Sequence, residues 1–96
     1  MFTLRIRAPK GYSVPPHTHP RSEVITVLSG KLGLGMGNTA NRAEVDDMPA
    51  GSFSTMPAGA AHYVFIDEDA VFQISGQGPW AISYVNPKDD PRNKKE

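Results

Sequence analysis

The chain has 96 residues, and its ten lysine and arginine residues balance ten aspartate and glutamate residues at a formal net charge of zero. A balanced chain of this kind carries no basic surface for nucleic acid, and no apolar run approaches the ~20 residues that cross a bilayer. Cysteine is absent, which excludes disulfides, thiolate metal sites and cysteine nucleophiles. We therefore expect one domain with neither a nucleic-acid nor a membrane partner.

The spacing of glycine and proline predicts an all-β fold with little or no helix. Nine glycines and nine prolines separate short runs that are apolar or alternate in polarity, as in a β-sandwich or barrel. The first run alternates so that Phe2, Leu4 and Ile6 face a core. In chain order we predict strands over residues 2–7, 14–19, 23–28, 31–37, 53–56, 62–66, 70–75 and 80–85, with a shorter one over 43–45.

The polar segments between these strands predict turns and a terminal tail. Residues 48–51 are expected to turn, and the acidic triplet Asp67–Asp69 is expected to form a hairpin tip. Residues 1–87 are expected to form a single domain, followed by a flexible C-terminal tail over 88–96, which is polar and broken by proline. A cytoplasmic location is expected for the chain as given, and a periplasmic one if a leader precedes Met1.

All three histidines of the chain fall inside two spaced patterns. The first is G-x5-H-x-H-x3-E-x6-G, formed by Gly11, His17, His19, Glu23 and Gly30. The second is G-x5-P-x-G-x2-H, formed by Gly51, Pro57, Gly59 and His62. His17 and His19 share one face of an extended segment, while Glu23 and His62 each begin a later strand. A curved antiparallel sheet brings the four together, and three imidazoles with one carboxylate suit one divalent transition metal: Fe, Mn, Zn, Ni or Cu.

The same four residues also have a plain structural interpretation: two surface histidines, one structural histidine and an ordinary glutamate. A single histidine would favour that interpretation, whereas the complete pattern favours a metal site. An ion that serves stability alone is a further alternative.

Three other features are interpreted as structural or left open. The Gly-x-Gly-x-Gly run over residues 33–37 does not match a dinucleotide fingerprint, and it leaves room for a strand to pass a neighbour. Five aromatics are assigned to the core or an interface rather than to a substrate platform: Tyr63, Phe65, Phe72, Trp80 and Tyr84. Gln73 faces either the interior, where it would need a hydrogen bond, or solvent.

Together the two histidine patterns resemble the paired motifs of the cupin superfamily, and the run from Gly78 to Arg92 resembles a subgroup of small bacterial cupins of the single-domain, type-2 kind. The resemblance implies a jelly-roll barrel of six to eight antiparallel strands and, commonly, a homodimer. It implies an ion held in the lumen by the metal ligands His17, His19, Glu23 and His62. The second motif departs at Ile66, where cupins usually have an asparagine that is not a ligand.

The resemblance implies two hypotheses for function. The first is a metal-dependent enzyme, a dioxygenase, lyase or isomerase, that binds a small molecule in the lumen, with Glu23 leaving the metal to act as a catalytic base. The alternative is a non-catalytic module that binds or senses a metal or metabolite. Fold alone does not choose between them.

Overall fold

A computed structural model describes residues 1–91 of the chain as nine β-strands and two three-residue 3-10 helices. The strands are β1 (Phe2–Ala8), β2 (Ser13–Thr18), β3 (Glu23–Ser29), β4 (Lys31–Met36), β5 (Asp46–Pro49), β6 (Phe53–Met56), β7 (His62–Ile66), β8 (Ala70–Gly76) and β9 (Ser83–Tyr84). The 3-10 helices span Arg42–Glu44 and Pro87–Asp89, and neither has the length to cross a membrane. Most of the predicted tail, from residue 92 onward, lies outside the described residues, so its flexibility stays a prediction.

The strands form two antiparallel sheets that face each other. One sheet has the strand order β1-β8-β3-β6 and the other has the order β5-β4-β7-β2-β9. The first eight strands, in this order, make a jelly roll, the closed double sheet of two Greek keys. The all-β prediction is therefore confirmed. The jelly roll has eight strands, the upper end of the predicted range of six to eight. Strand β9 adds two residues at the edge of one sheet.

The core lies between the sheets and is built by alternation along each strand. In β3, Ile25 and Val27 are fully buried, and in β8 their neighbours Phe72 and Ile74 face the same way. Full burial of such a side chain contributes roughly 1.5–3 kcal/mol. Gln73 alternates with them and faces outward, where its Oε1 accepts a hydrogen bond from Arg5. Of the two orientations that the sequence left open for Gln73, the structure shows the one that faces away from the interior.

The glycine run in β4 makes room for a buried ring. A Cβ added at Gly35 would lie 2.2 Å from Cζ of Tyr63, whose side chain is 1% exposed. The Tyr63 hydroxyl donates a hydrogen bond to the Asn41 carbonyl at 3.1 Å. The structural interpretation of this run is confirmed.

Two predictions near the middle of the chain were wrong. The strand predicted over 43–45 is a 3-10 helix over Arg42–Glu44, because Asn41 caps it through a side-chain oxygen that accepts from the Ala43 amide at 3.0 Å. The turn predicted over 48–51 begins later, because Asp46–Pro49 pairs with β4 as an edge strand. Proline is tolerated there since an edge strand has one side without ladder bonds.

Two predictions in the second half were also wrong. Asp67–Asp69 does not form a hairpin tip, because it joins β7 in one sheet to β8 in the other. This connection is fastened by an ion pair between Arg42 and Asp67 and by the Lys10 amide, which donates to Asp69 at 2.8 Å. The strand predicted over 80–85 is reduced to Ser83–Tyr84, and the residues before it run past the interior of the barrel.

Candidate metal centre

Paired strands of one sheet place two of the histidines side by side. His17 in β2 and His62, the first residue of β7, are cross-strand partners, and their ring centroids lie 4.2 Å apart. The pairing register shifts between Val14 and His17, at the two prolines of β2. A bulge of this kind redirects the side chains that follow it. It leaves His17 pointing inward, 4% exposed.

The third histidine and the glutamate flank the crossing from one sheet to the other. His19 follows β2 directly, and Glu23 begins β3 in the facing sheet. Both are buried, and His19 Nε2 lies 3.5 Å from Glu23 Oε1. The structure therefore places Glu23 beside His19, while the cluster of possible metal ligands consists of the three histidines.

The three imidazoles form a compact cluster. One nitrogen from each of His17, His19 and His62 lies within 4.8 Å of the others. Zinc–nitrogen bonds are about 2.0–2.1 Å long, so two nitrogens on opposite sides of one ion lie at most about 4 Å apart. The three nitrogens are therefore spread less than about 1 Å wider than the ligands of a single zinc ion.

Backbone carbonyls orient every ring of the cluster. Nδ1 of His17 lies 2.7 Å from the Pro15 oxygen, and Nδ1 of His62 lies 3.3 Å from the Ala60 oxygen. Nδ1 of His19 lies 2.7 Å from the Ala81 oxygen. A carbonyl oxygen only accepts, so each Nδ1 carries the proton and donates. The lone pair of a neutral ring then lies on Nε2, as metal-binding histidines require.

Burial favours the neutral form of His17 and His62 and opposes charge on Glu23. It is the main cause that lowers the pKa of His62 to about 4, with the neighbouring His17 adding to the effect. Burial likewise lowers the pKa of His17, against the hydrogen bond to Pro15. Burial raises the pKa of Glu23, and the neighbouring His19 opposes that shift. Neutral imidazoles are ready ligands at neutral pH, because an ion need not displace protons from them.

Two buried atoms show that these residues fit a metal ion. Among the described residues, His19 Nε2 and Glu23 Oε1 are buried side-chain atoms without a hydrogen-bond partner. Buried polar atoms nearly always have one, and each exception calls for an explanation. A divalent cation would serve both atoms at once, since imidazole nitrogen and carboxylate oxygen are both ligands for first-row transition metals.

The cluster opens onto a cavity that the sequence did not assign. The cavity has a volume of about 270 Å³, and all three histidines line it. Trp80 and Tyr84 also line it: the ring centroid of Trp80 is 5.7 Å from that of His19, and Tyr84 is 6.0 Å from His17. The assignment of these two aromatics to the core or an interface stays a prediction. No spacing signal links Trp80 to His19 or Tyr84 to His17, because the two pairs are 61 and 67 residues apart in the chain.

A jelly roll that gathers histidines inside its barrel defines the cupin class, and comparisons with known proteins agree. Residues 2–95 match a family described as a domain of unknown function, DUF4437. The chain belongs to this family within the cupin superfamily. Germin-like protein 12-2 of Oryza sativa subsp. japonica is 38% identical over 90 residues, covering 82% of this chain and 39% of that protein. The chain thus spans well under half the length of this relative.

Solved structures share the fold at low sequence identity. A cupin-like protein from Thermotoga maritima has a TM-score of 0.68 and 20% identity, over 91% of this chain and 68% of its own. The DMSP lyase DddQ from Ruegeria pomeroyi has a TM-score of 0.71 and 20% identity, over 90% of this chain and 43% of its own. These likenesses establish the fold.

Proposed function

We propose that this chain is a metal-dependent enzyme that acts on a small molecule in the barrel lumen. One divalent transition metal, Fe, Mn, Zn, Ni or Cu, would be held by His17, His19 and His62, with Glu23 as a fourth, acidic ligand. The observation that carries the proposal is the cluster of three oriented rings, in which His19 Nε2 and the neighbouring Glu23 Oε1 are buried without a hydrogen-bond partner. The cavity beside it supplies room for a substrate.

The bound ion would act as a Lewis acid toward a substrate oxygen. The protein groups around it would position the substrate and handle its proton. On leaving the ion, Glu23 would take that proton at Oε1, because this oxygen has no hydrogen-bond partner of its own and burial raises the pKa of the carboxyl group. A base beside an electrophile is what a lyase or an isomerase needs. A fold shared with a DMSP lyase supports this reaction class at the level of analogy.

Dioxygenase chemistry is the second reaction class that this ligand set supports, provided that the ion is redox-active. A binding or sensing module is the non-catalytic alternative, and it would use the same cluster and cavity. Zinc that is tightly held without turnover would favour the module, whereas iron, manganese or copper with oxygen uptake would favour an oxidoreductase.

Metal loading of a histidine variant tests the proposal. The untagged chain, dialysed against Zn²⁺ and then against buffer, is expected to retain one ion per chain by elemental analysis. His62→Ala should retain little. Met36→Ala is the matched control, because Met36 is the β4 partner of His62 but is 50% exposed. Equal metal content in wild type and His62→Ala would overturn the proposal.

We also propose that the chain forms a homodimer through its four-stranded sheet. Support comes from apolar side chains exposed on two neighbouring strands of that sheet: Leu28 on β3 and Phe53 on β6, which is 71% exposed. Exposed apolar groups that share one sheet are typical of contact surfaces. Light scattering should give twice the 10.4 kDa of one chain. A species of single-chain mass at micromolar concentration would contradict the dimer.

A further inference from the structure

We infer that the lumen takes a compact, uncharged molecule with an apolar body and one oxygen-donor group, and that it rejects dianions and polyols. This inference rests on the proposed function, because the donor group is the part that faces the metal site. It adds the chemical class of the molecule, which the histidine cluster alone does not specify.

The walls of the cavity carry the argument. Apart from the histidines, they consist of aliphatic and aromatic side chains from both sheets, among them Ile25, Met56, Val64 and Phe72. Among the described residues that line the cavity, none is aspartate, glutamate, lysine or arginine. Such walls favour apolar surface, which gains free energy by leaving water.

Charge and hydroxyl groups are disfavoured for the same reason. A charged group in this lumen loses its hydration, and the lining residues offer it no ion-pair partner apart from the histidine end. Glu23, the nearest buried acid, does not line the cavity, and its Oε1 lies beside His19. A polyol would leave several hydroxyl groups without partners, which costs more than each hydrogen bond would gain.

Size and shape restrict the molecule further. The cavity of about 270 Å³ equals the liquid volume of roughly nine water molecules. The flat rings of Trp80 and Tyr84 stand beside His19 and His17, within 6.0 Å between centroids. The polar end of a ligand therefore meets the histidines, and its body lies between aromatic and aliphatic walls. One ring or a short branched chain fits this space.

The first test uses the metal-free chain and its single tryptophan, Trp80, as the reporter. Cyclohexanol and myo-inositol share a six-carbon ring but carry one and six hydroxyl groups. Cyclohexanol is expected to change Trp80 fluorescence in a saturable manner, whereas inositol at the same concentrations should not. No saturable response to cyclohexanol, or equal responses to the two, would overturn the inference.

The second test uses the zinc-loaded chain and calorimetry. Benzohydroxamate and 4-carboxybenzohydroxamate share one chelating head, but the second carries an added carboxylate into the lumen. Benzohydroxamate should bind about tenfold more tightly or better, because the added charge must be desolvated. Equal affinity would overturn the inference. If the chain retains no zinc, the proposed function is wrong instead. The cyclohexanol test on the metal-free chain would then still show which class of ligand the lumen binds.

A charge-insertion variant checks that the lumen itself sets this preference. Ile82 lines the cavity and is partly exposed, so Ile82→Lys places a cation in the wall. This variant should reduce the preference for benzohydroxamate severalfold. Val85→Lys is the control, because Val85 is 42% exposed and does not line this cavity. An unchanged preference in folded Ile82→Lys would contradict the inference. If circular dichroism shows that the variant is unfolded, the inference is tested by the wild-type chain alone, with the cyclohexanol–inositol pair and the two hydroxamates.

Discussion

His17 and His62 are cross-strand partners of β2 and β7, and their rings stand 4.2 Å apart between centroids. The backbone ladder sets this pairing, so the fold itself brings the two rings together. The Pro15 and Ala60 carbonyls then hold each ring through its Nδ1 proton. A site prepared in this way loses little side-chain entropy on metal binding, which favours affinity.

Replacing the acid should separate metal affinity from stability. Glu23→Gln is expected to lower zinc affinity by about one order of magnitude, less than the loss of a histidine, because the three imidazoles remain. The metal-free variant should be as stable as wild type or more so, since it removes a carboxyl group that burial disfavours in its charged form. Calorimetry and thermal melts in EDTA measure the two effects.

Glu68→Gln is the matched control for that experiment, because Glu68 lies exposed in the turn between β7 and β8. Glu68→Gln should change neither the zinc affinity nor the melting temperature of the metal-free chain. A large drop in the melting temperature of metal-free Glu23→Gln would contradict this account, and it would assign the acid a purely structural role.

The metal-free chain should lose stability as the pH falls from about 6.5 to about 4. Folding lowers the pKa of His62 from 6.5 to about 4, so in this window the unfolded chain binds more protons than the folded one. The free energy of unfolding therefore rises with pH across the window, and this group contributes on the order of 3 kcal/mol. His17 acts in the same direction, whereas Glu23, with a raised pKa, acts in the opposite one.

Because several groups titrate together, a difference between two chains isolates His62. Urea unfolding of wild type and of His62→Gln in EDTA, at a series of pH values, gives that difference directly. The stability of the variant should depend less on pH between 4 and 6.5. Parallel pH profiles for the two chains would show that burial of His62 does not suppress its protonation.

Gly35→Ala should destabilise the fold. The added methyl group would lie 2.2 Å from the Tyr63 ring, and overpacking of this kind costs about 1–3 kcal/mol. A double-mutant cycle with Tyr63→Leu provides the control, since removal of the ring should relieve most of the penalty. The same loss in both backgrounds would show that Tyr63 is not the obstacle.

The sequence predicted the strand framework and the clustering of the histidines well, at positions where the residue type itself restricts the structure. Gly11, Gly30, Gly51 and Gly59, which bound or lie within the two histidine patterns, all adopt positive φ values that favour glycine. The ends of β7 were predicted to the residue, from an apolar run between a turn and an acidic triplet. The clustering of His17, His19 and His62 followed from strand alternation and from the two patterns.

The remaining features depend on tertiary contacts that no local pattern encodes. β5 contains two acids and a proline, and it is a strand only because β4 offers it an edge. The Ala81 carbonyl that orients His19 is 62 residues away in the chain. Met36 at the end of β4 is 50% exposed, although Leu32 and Leu34 of the same strand are buried. In each case contacts with distant parts of the same chain, rather than the residue type, determine the local structure.

X-ray absorption at the zinc edge of the loaded chain tests the central claim most directly, because it identifies the atoms around the ion. The account predicts three imidazole nitrogens at about 2.0–2.1 Å, with oxygen in the remaining positions. His62→Ala should reduce the imidazole signal to two rings or abolish binding. A spectrum of oxygen ligands alone, or of one imidazole per ion, would contradict a site built from His17, His19 and His62.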